Sequence, residues 1–219
     1  MSANPAVQST PSFRADEALA TASILLRSTT FPLTIRLTEP LDDEALLEFC
    51  ALNDSVRIER NPDGELIVMT PAGGKTGNRE LYAGREMDLW VEREKKGIAF
   101  GSNTGFSLPD GSVRAPDAAW LSSEKWNRLT EEEKGKFLPF CPEFIVEVRS
   151  PTDSVNDLEQ KMAEWILNGA QLGWLIDPQR KLAMIYRPGS DPETLVQPEF
   201  LHGEGPIAGY ILKMQRFWE

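Results

Sequence analysis

Two carboxylates lie inside short apolar stretches, where a charge needs either a partner or a bound cation. Residues 113–121 read VRAPDAAWL, and the alternation of a strand would place Asp117 on the same face as small apolar side chains. Residues 144–148 read FIVEV, so Glu147 interrupts an otherwise apolar strand. Because burying an unpaired charge is costly, we interpret both acids as paired groups or as ligands. Two carboxylates that converge offer the hard oxygen ligands that Mg²⁺ prefers.

Two further charged side chains lie on the apolar faces of predicted helices. Lys161 aligns with Leu158, Met162 and Trp165 at the three- and four-residue spacings of one helical face. An inward-facing lysine beside two carboxylates can neutralise negative charge on a phosphate or orient an attacking water. Glu80 lies on the apolar side of an earlier helix and is a fourth candidate, although such a residue is more often a half-buried helix carboxylate than a ligand.

Structural roles for the same acids stay open at the level of the sequence. Asp117 can cap a turn, and Glu147 can pair with Arg149 or Lys161 in a purely structural ion pair. The residue types alone therefore support either a cation site or a set of buried ion pairs.

The net charge limits the classes of partner. The chain has 219 residues with 23 Lys and Arg against 34 Asp and Glu, which gives a formal charge of −11. A high-affinity nucleic-acid binder without sequence preference relies on a basic surface that releases counterions, so the charge argues against that class. An enzyme that neutralises phosphate locally with a metal ion is not excluded.

Cysteine usage and the N-terminal segment predict a cytoplasmic protein without a membrane partner. Cys50 and Cys141 are too few for a disulfide framework, and their spacing does not suggest zinc. Asp16 and Glu17 precede a modest apolar stretch where a secretory signal would carry positive charge. No apolar run approaches the roughly 18 residues that a membrane span needs.

The hydrophobic pattern predicts a flexible extension over residues 1–35, with a short amphipathic segment near 16–27, and one domain over 36–219. A helix is expected from Pro40 to about Leu52, and the turn sequence NPDG after it predicts a β-hairpin. The other predicted elements are a long helix (77–95), strands (98–108 and 112–121), a polar helical insertion or loop (124–136), a strand (143–148), a helix (157–168) and strands (173–176 and 182–187). This order predicts an α/β domain with a mixed sheet.

Three blocks of sequence carry a resemblance to a known family. They are GFSLPDGSVRAPD at residues 105–117, FIVEVRSP at 144–151, and a block that runs from KMAEW at 161–165 to WLIDP at 174–178. In this order they resemble the Uma-two family of restriction-endonuclease-like proteins, from about residue 38 to residue 186. The resemblance implies the PD-(D/E)xK nuclease fold, a restriction-endonuclease-like core with a central mixed sheet and flanking helices.

The same resemblance implies a site. It assigns metal binding to Asp117 and Glu147, with Mg²⁺ or Mn²⁺ as cofactor, DNA as substrate and a homodimer as the assembly. The nuclease motif has a lysine two residues after the glutamate, where this chain has Arg149. In Uma-two proteins this lysine has moved to the following helix, which indicates Lys161. Many members carry a histidine near the start of the long helix. This chain has Asn78 there instead, on the same predicted helix as Glu80.

Two functional hypotheses follow. The first is a metal-dependent endonuclease that hydrolyses phosphodiester bonds of DNA with Asp117, Glu147, Lys161 and Glu80. The alternative is a catalytically inactive nuclease-fold protein that acts through protein–protein association. The charge of −11 favours the alternative. The complete set of Asp117, Glu147 and Lys161 favours the enzyme, because a decayed site would lose such costly buried charges first.

Overall fold

The computed structural model describes residues 31–219 of the chain. The amphipathic segment predicted near residues 16–27 and most of the extension predicted at 1–35 lie outside the described residues. The last three residues of that extension, Leu33–Ile35, form a strand. The division into an extension and a single domain stays a prediction.

The described part of the chain consists of short strands interspersed with helices. The strands are β1 (Leu33–Ile35), β2 (Arg57–Arg60), β3 (Leu66–Met69), β4 (Ile98–Gly101), β5 (Phe106–Ser107), β6 (Val113–Arg114), β7 (Ala118–Leu121), β8 (Phe144–Val148), β9 (Leu172–Asp177), β10 (Leu182–Tyr186), β11 (Glu193–Val196), β12 (Phe200–His202) and β13 (Ile211–Lys213). The α-helices are α1 (Asp43–Leu52), α2 (Gly74–Glu94), α3 (Ser123–Arg128), α4 (Glu131–Lys134), α5 (Val155–Leu167) and α6 (Gln215–Trp218), and Gly205–Ile207 form a 3₁₀ turn.

The central sheet has the strand order β11-β10-β9-β8-β7-β4. β8 and β9 pair in parallel, and the other neighbours pair antiparallel. α5 connects the two parallel strands, because a parallel pair needs a crossover. Every residue of β7, β8 and β9 is buried, as expected for strands that are covered on both faces. The mixed sheet flanked by helices confirms the predicted fold class.

Alternate residues of β8 pack against different helices. Val146 belongs to the apolar cluster that contains Trp90 of α2, whereas Ile145 belongs to the cluster that contains Trp165 of α5. Since side chains alternate along a strand, Glu147 lies on the same face as Ile145. The sheet therefore directs Glu147 towards α5.

The strand predicted at residues 112–121 is interrupted. β6 ends at Arg114 and belongs to a five-stranded sheet, called the smaller sheet below. β7 begins at Ala118 and belongs to the central sheet. Pro116 lies between them, and its missing N–H cannot contribute to a strand ladder. The prediction of one continuous strand was therefore wrong, and Asp117 lies at the point where the chain passes between the sheets. The strand predicted at 98–108 likewise divides into β4 and β5.

The smaller sheet has the order β1-β3-β2-β6-β5, and β12 pairs with β13 separately. The predicted hairpin is confirmed, because β2 and β3 pair antiparallel around the turn at residues 61–64. A single register pair, between Arg60 and Val113, joins β2 to β6. This contact brings β2 next to the segment that leads to Asp117.

The helices predicted at 40–52, 77–95 and 157–168 are present as α1, α2 and α5, with small shifts at their ends. The polar segment predicted at 124–136 contains two short helices, α3 and α4. α1 begins after Asp42, whose side chain accepts a hydrogen bond from the Ala45 amide. α5 begins after Ser154, which caps the helix by accepting from the Asp157 amide. Within residues 31–219, no helix combines the length and the apolar character needed to cross a membrane.

Candidate active site

Asp117 and Glu147 come from neighbouring strands of the central sheet. In the antiparallel pair of β7 and β8, Ala118 lies opposite Val146, so the register continued by one residue sets Asp117 opposite Glu147. Opposed residues of an antiparallel pair project from the same face with their Cβ atoms about 5 Å apart. The Val148 amide fixes Asp117 by donating to its Oδ2 at 2.7 Å. The two acids predicted from sequence therefore lie side by side.

Lys161 of α5 reaches Glu147. Its Nζ lies 2.9 Å from Glu147 Oε1, and the side chain projects from the helix that covers this face of the sheet. Trp165, one turn later, donates its Nε1–H to the same carboxylate oxygen at 3.1 Å. The structure thus brings together the three groups predicted from separate segments. Their catalytic role stays a proposal.

Glu59 of β2 is a further acid of the site, which the sequence did not predict. Its Oε1 lies 2.9 Å from Lys161 Nζ and accepts from the Ala115 amide at 3.2 Å. Its Oε2 accepts from Arg114 at 3.3 Å, and Arg114 in turn forms two hydrogen bonds of 2.7 and 2.8 Å with Glu164 of α5. These bonds connect the smaller sheet to α5 and fix Lys161 between Glu59 and Glu147.

Arg57, also on β2, is the second cation beside the acids. Its Nη1 lies 3.4 Å from Asp117 Oδ1, its Nη2 lies 3.9 Å from Glu59 Oε1, and Nη2 also donates to the Ala115 carbonyl. In sequence, β2 reads RIER, and a strand with three charged residues out of four is typical of a solvated hairpin. No local signal distinguished Arg57 or Glu59 from surface residues.

Glu80 approaches the site from α2, on the other side of the central sheet. It is half-buried, and burial raises its pKa, which is lowered by the charge of Arg57 and raised by those of Glu147 and Asp153. The charges of Arg57 and Glu147 therefore act on Glu80. Among the described residues, Glu80 forms no ion pair with Lys161 or Arg57.

The charges of Asp117 and Glu147 are only partly compensated. Burial raises the pKa of Glu147 to about 7, although Lys161 opposes the shift. Burial likewise raises the pKa of Asp117 to about 6, with Arg57 opposing and Glu80 adding to the rise. Glu59 behaves in the opposite way: burial acts to raise its pKa, but Lys161, Arg114 and Arg57 together lower it to about 2. Glu59 is therefore a fully ionised partner of the cations, whereas Asp117 and Glu147 favour additional positive charge.

The donor set fits a divalent cation of the magnesium type. Within residues 31–219, no group of three His, Cys, Asp or Glu side chains could by itself enclose a metal ion. Mg²⁺ does not require such a cage, because it is usually bound by one or two carboxylates, with waters and substrate phosphates completing its shell. Asp117 and Glu147 supply two such carboxylates on one face, and their incomplete compensation leaves charge for the ion to neutralise.

Arg149 does not contribute to this cluster. Its Nη1 donates to Asp177 Oδ2 at 3.0 Å, and its Nε and Nη2 approach the Asp153 carbonyl at 3.3 Å. The structural alternative in which Glu147 pairs with Arg149 is therefore excluded, and its partner is Lys161. The lysine position of the nuclease motif is occupied by a residue that binds elsewhere.

Comparisons with known proteins agree with this architecture. The family model described as "Uma2: Putative restriction endonuclease" matches residues 43–215. Among solved structures, the fold is similar to that of a protein from Anabaena variabilis ATCC 29413, described as "a putative nuclease belonging to DUF820". The two chains share 20% identity with a TM-score of 0.65, and the match covers 82% of this chain and 98% of the other. At this identity the likeness shows the shared fold alone. No curated protein matches the chain.

Proposed function

Because the chain belongs to the Uma2 family of restriction-endonuclease-like proteins, we propose that it is an endonuclease that hydrolyses DNA phosphodiester bonds with Mg²⁺ or Mn²⁺. The observation that carries this proposal is the contact of Lys161 with Glu147, 2.9 Å apart, beside Asp117 on the neighbouring strand. A cation and two incompletely compensated acids on one face are the groups that phosphate hydrolysis needs.

Each residue has a proposed role. Asp117 and Glu147 hold the metal ion, and Glu80 completes its surroundings from α2. When bound, such an ion lowers the pKa of a coordinated water and neutralises charge on the phosphate. Lys161 supplies a fixed positive charge next to the reacting phosphate. Burial acts to lower the pKa of Lys161, but Glu147 and Glu59 raise it, so its ammonium group is charged at neutral pH.

Cleavage assays with matched variants test the proposal. Supercoiled plasmid and single-stranded DNA are incubated in Mg²⁺ or Mn²⁺ with wild-type protein, Asp117→Asn and Lys161→Met, and the exposed Asp191→Asn variant is the control. We expect both site variants to lose cleavage by about 10²-fold or more, as for other groups that stabilise a transition state, and the control to cut like the wild type. Equal cutting by all four proteins would reveal a contaminating nuclease and contradict the proposal.

The second candidate, an inactive nuclease-fold protein that acts by association, is favoured by the charge of −11. A wild-type protein that cuts neither substrate with either metal supports this candidate. We also propose, from the family resemblance, a cytoplasmic homodimer. Size-exclusion chromatography with light scattering measures the molar mass and therefore distinguishes a homodimer from a monomer.

A further inference from the structure

Arg57 holds a central place among the acids of the site. It lies between Asp117 and Glu59, with distances of 3.4 Å from Nη1 to Asp117 Oδ1 and 3.9 Å from Nη2 to Glu59 Oε1. Both contacts are longer than the 2.7–2.9 Å that is usual for a charge-assisted hydrogen bond. Arg57 therefore offsets the negative charge without strong directional bonds to either acid.

The guanidinium group keeps donors free. Arginine carries five N–H donors, and the one short hydrogen bond of Arg57 goes from Nη2 to the Ala115 carbonyl. Its Nε is buried and has no hydrogen-bond partner among residues 31–219. Buried donors are nearly always satisfied, because an unsatisfied one costs roughly 1–3 kcal/mol. The orphaned Nε–H indicates an acceptor that the protein itself does not supply.

Arg57 is also more accessible than the lysine and the two acids proposed to bind the metal. Its side chain is 24% exposed, compared with 15% for Lys161, 7% for Asp117 and 4% for Glu147. Lys161 is held by two carboxylates at 2.9 Å. An anion that approaches the acids from solvent therefore meets Arg57 before it meets Lys161.

We propose that Arg57 binds a backbone phosphate of the DNA substrate at the entrance to the acidic site. This inference rests on the proposed function and names the residue that brings the substrate to it. A phosphate entering a group of four carboxylates, Glu59, Glu80, Asp117 and Glu147, is repelled unless a nearby cation has donors to spare. The planar guanidinium group suits this task, because it binds phosphate oxygens with two parallel hydrogen bonds.

The salt dependence of DNA binding tests the inference. Fluorescence anisotropy of a labelled 20-base-pair duplex is measured from about 50 to 200 mM KCl, with Ca²⁺ in place of Mg²⁺ and a gel to verify that the duplex stays intact. Loss of one phosphate contact lowers the slope of log K against log salt by about 1. We expect this decrease for Arg57→Gln and an unchanged slope for Arg57→Lys, which keeps the charge. Arg36→Gln, a variant of an exposed arginine paired with Glu65, is the control and keeps the wild-type slope.

Introducing Arg57→Gln into a second protein, the Asp117→Asn variant, separates the loss of a phosphate contact from a loss of stability. Arg57→Gln leaves Asp117 without its cation, so the variant is also made together with Asp117→Asn, which replaces the ion pair by two amides. Compared with Asp117→Asn alone, the double variant is expected to show the same decrease of about 1 in slope. If circular dichroism shows that the variants are folded, and Arg57→Gln leaves the slope unchanged both in the wild-type and in the Asp117→Asn background, the inference is overturned.

The outcomes also separate this inference from the proposed function. A wild-type protein that binds the duplex with an Arg57-dependent slope but cuts no DNA in Mg²⁺ or Mn²⁺ contradicts the proposed function alone. A wild-type protein that cuts DNA while Arg57→Gln keeps the full slope contradicts the role of Arg57 alone. A protein that neither binds nor cuts contradicts both.

Discussion

Lys161 and Glu59, 102 residues apart in the chain, form a buried ion pair in which Nζ and Oε1 are 2.9 Å apart. The same Nζ lies 2.9 Å from Glu147. Lys161 is thus held from two sides, by an acid that we assign to metal binding and by an acid of the smaller sheet that has no such role. Glu59 is a positioning residue, which acts through Lys161.

Replacing Glu59 by glutamine is expected to destabilise the protein and to reduce kcat. Removal of one partner of a buried ion pair leaves the other charges uncompensated, and we expect a loss of about 3 kcal/mol in the free energy of unfolding, measured with urea. The matched control is Glu193→Gln, which breaks an exposed pair with Arg187 and is expected to cost less than about 1 kcal/mol. Similar losses in the two variants would show that Glu59 does not hold a buried network.

The kinetics of the same variant separate positioning from stability. Below the unfolding temperature, a displaced Lys161 lowers kcat with little change in KM, because its charge acts on the reacting phosphate and not on substrate binding. A Glu59→Gln enzyme whose kcat equals that of the wild type, when both are folded, would limit Glu59 to a structural role.

Trp165→Phe tests the hydrogen bond to Glu147. This substitution removes the Nε1–H that donates to Glu147 Oε1 at 3.1 Å, together with part of a buried ring. Trp174→Phe is the matched control, because Trp174 is equally buried and its Nε1 has no partner among the described residues. We expect Trp165→Phe to cost about 2 kcal/mol more than the control in urea unfolding, since a bond to a charged acceptor is lost. Equal costs would mean that the bond contributes nothing to stability.

Arg149 is not expected to substitute for Lys161. Although it occupies the lysine position of the nuclease motif, its side chain pairs with Asp177 at 3.0 Å. We expect Lys161→Ala to be inactive and the double variant Lys161→Ala/Arg149→Lys to stay inactive in the plasmid assay. Recovered cleavage in the double variant would show that a lysine at 149 reaches the acids, and it would contradict the assignment of that side chain to Asp177.

Metal affinity is expected to depend steeply on pH. Burial raises the pKa of Glu147 to about 7 and that of Asp117 to about 6, so a metal ion must displace protons from both acids in this range. Calorimetry with Mn²⁺ should show binding at pH 8 and an affinity more than about tenfold weaker at pH 5.5, since each pH unit below a pKa costs up to a factor of ten per proton.

The stability of the metal-free protein is expected to depend on pH in the direction opposite to that of the metal affinity. A carboxyl group with a raised pKa in the folded state stabilises that state when protonated, and this contribution is lost as pH rises through about 6 and 7.

The double variant Asp117→Asn/Glu147→Gln is the control, because it lacks both titrating groups. A wild-type Mn²⁺ affinity that stays constant from pH 5.5 to pH 8 would contradict binding through these acids.

The sequence predicts Asp117, Glu147 and Lys161 because each is a local anomaly. A charge inside FIVEV, or on the apolar face of a helix, conflicts with its immediate neighbours, and the conflict is visible without a structure. The helices and the hairpin were predicted for a similar reason, since caps, turn residues and periodicity act over a few positions.

Glu59 and Arg57 had no such signal. β2 is charged in three of its four residues, which is normal for a hairpin with a solvated face. Glu59 is buried because β6 pairs with β2 and because Lys161 of α5, 102 residues later in the chain, reaches its carboxylate. Arg57 contacts Asp117 and Ala115, which follow β6. The interruption between β6 and β7 was missed for a related reason: Pro116 marks a break, but the separation into two sheets depends on long-range pairing.

The central claim is that Asp117 and Glu147 jointly hold a divalent ion, and anomalous diffraction from crystals soaked in Mn²⁺ tests it most directly. We predict one strong peak within bonding distance of a carboxylate oxygen of each residue, and its absence in Asp117→Asn crystals soaked in the same way. A structure without a peak between the two acids, with Arg57 and Lys161 still bound to them at high Mn²⁺, would contradict the account.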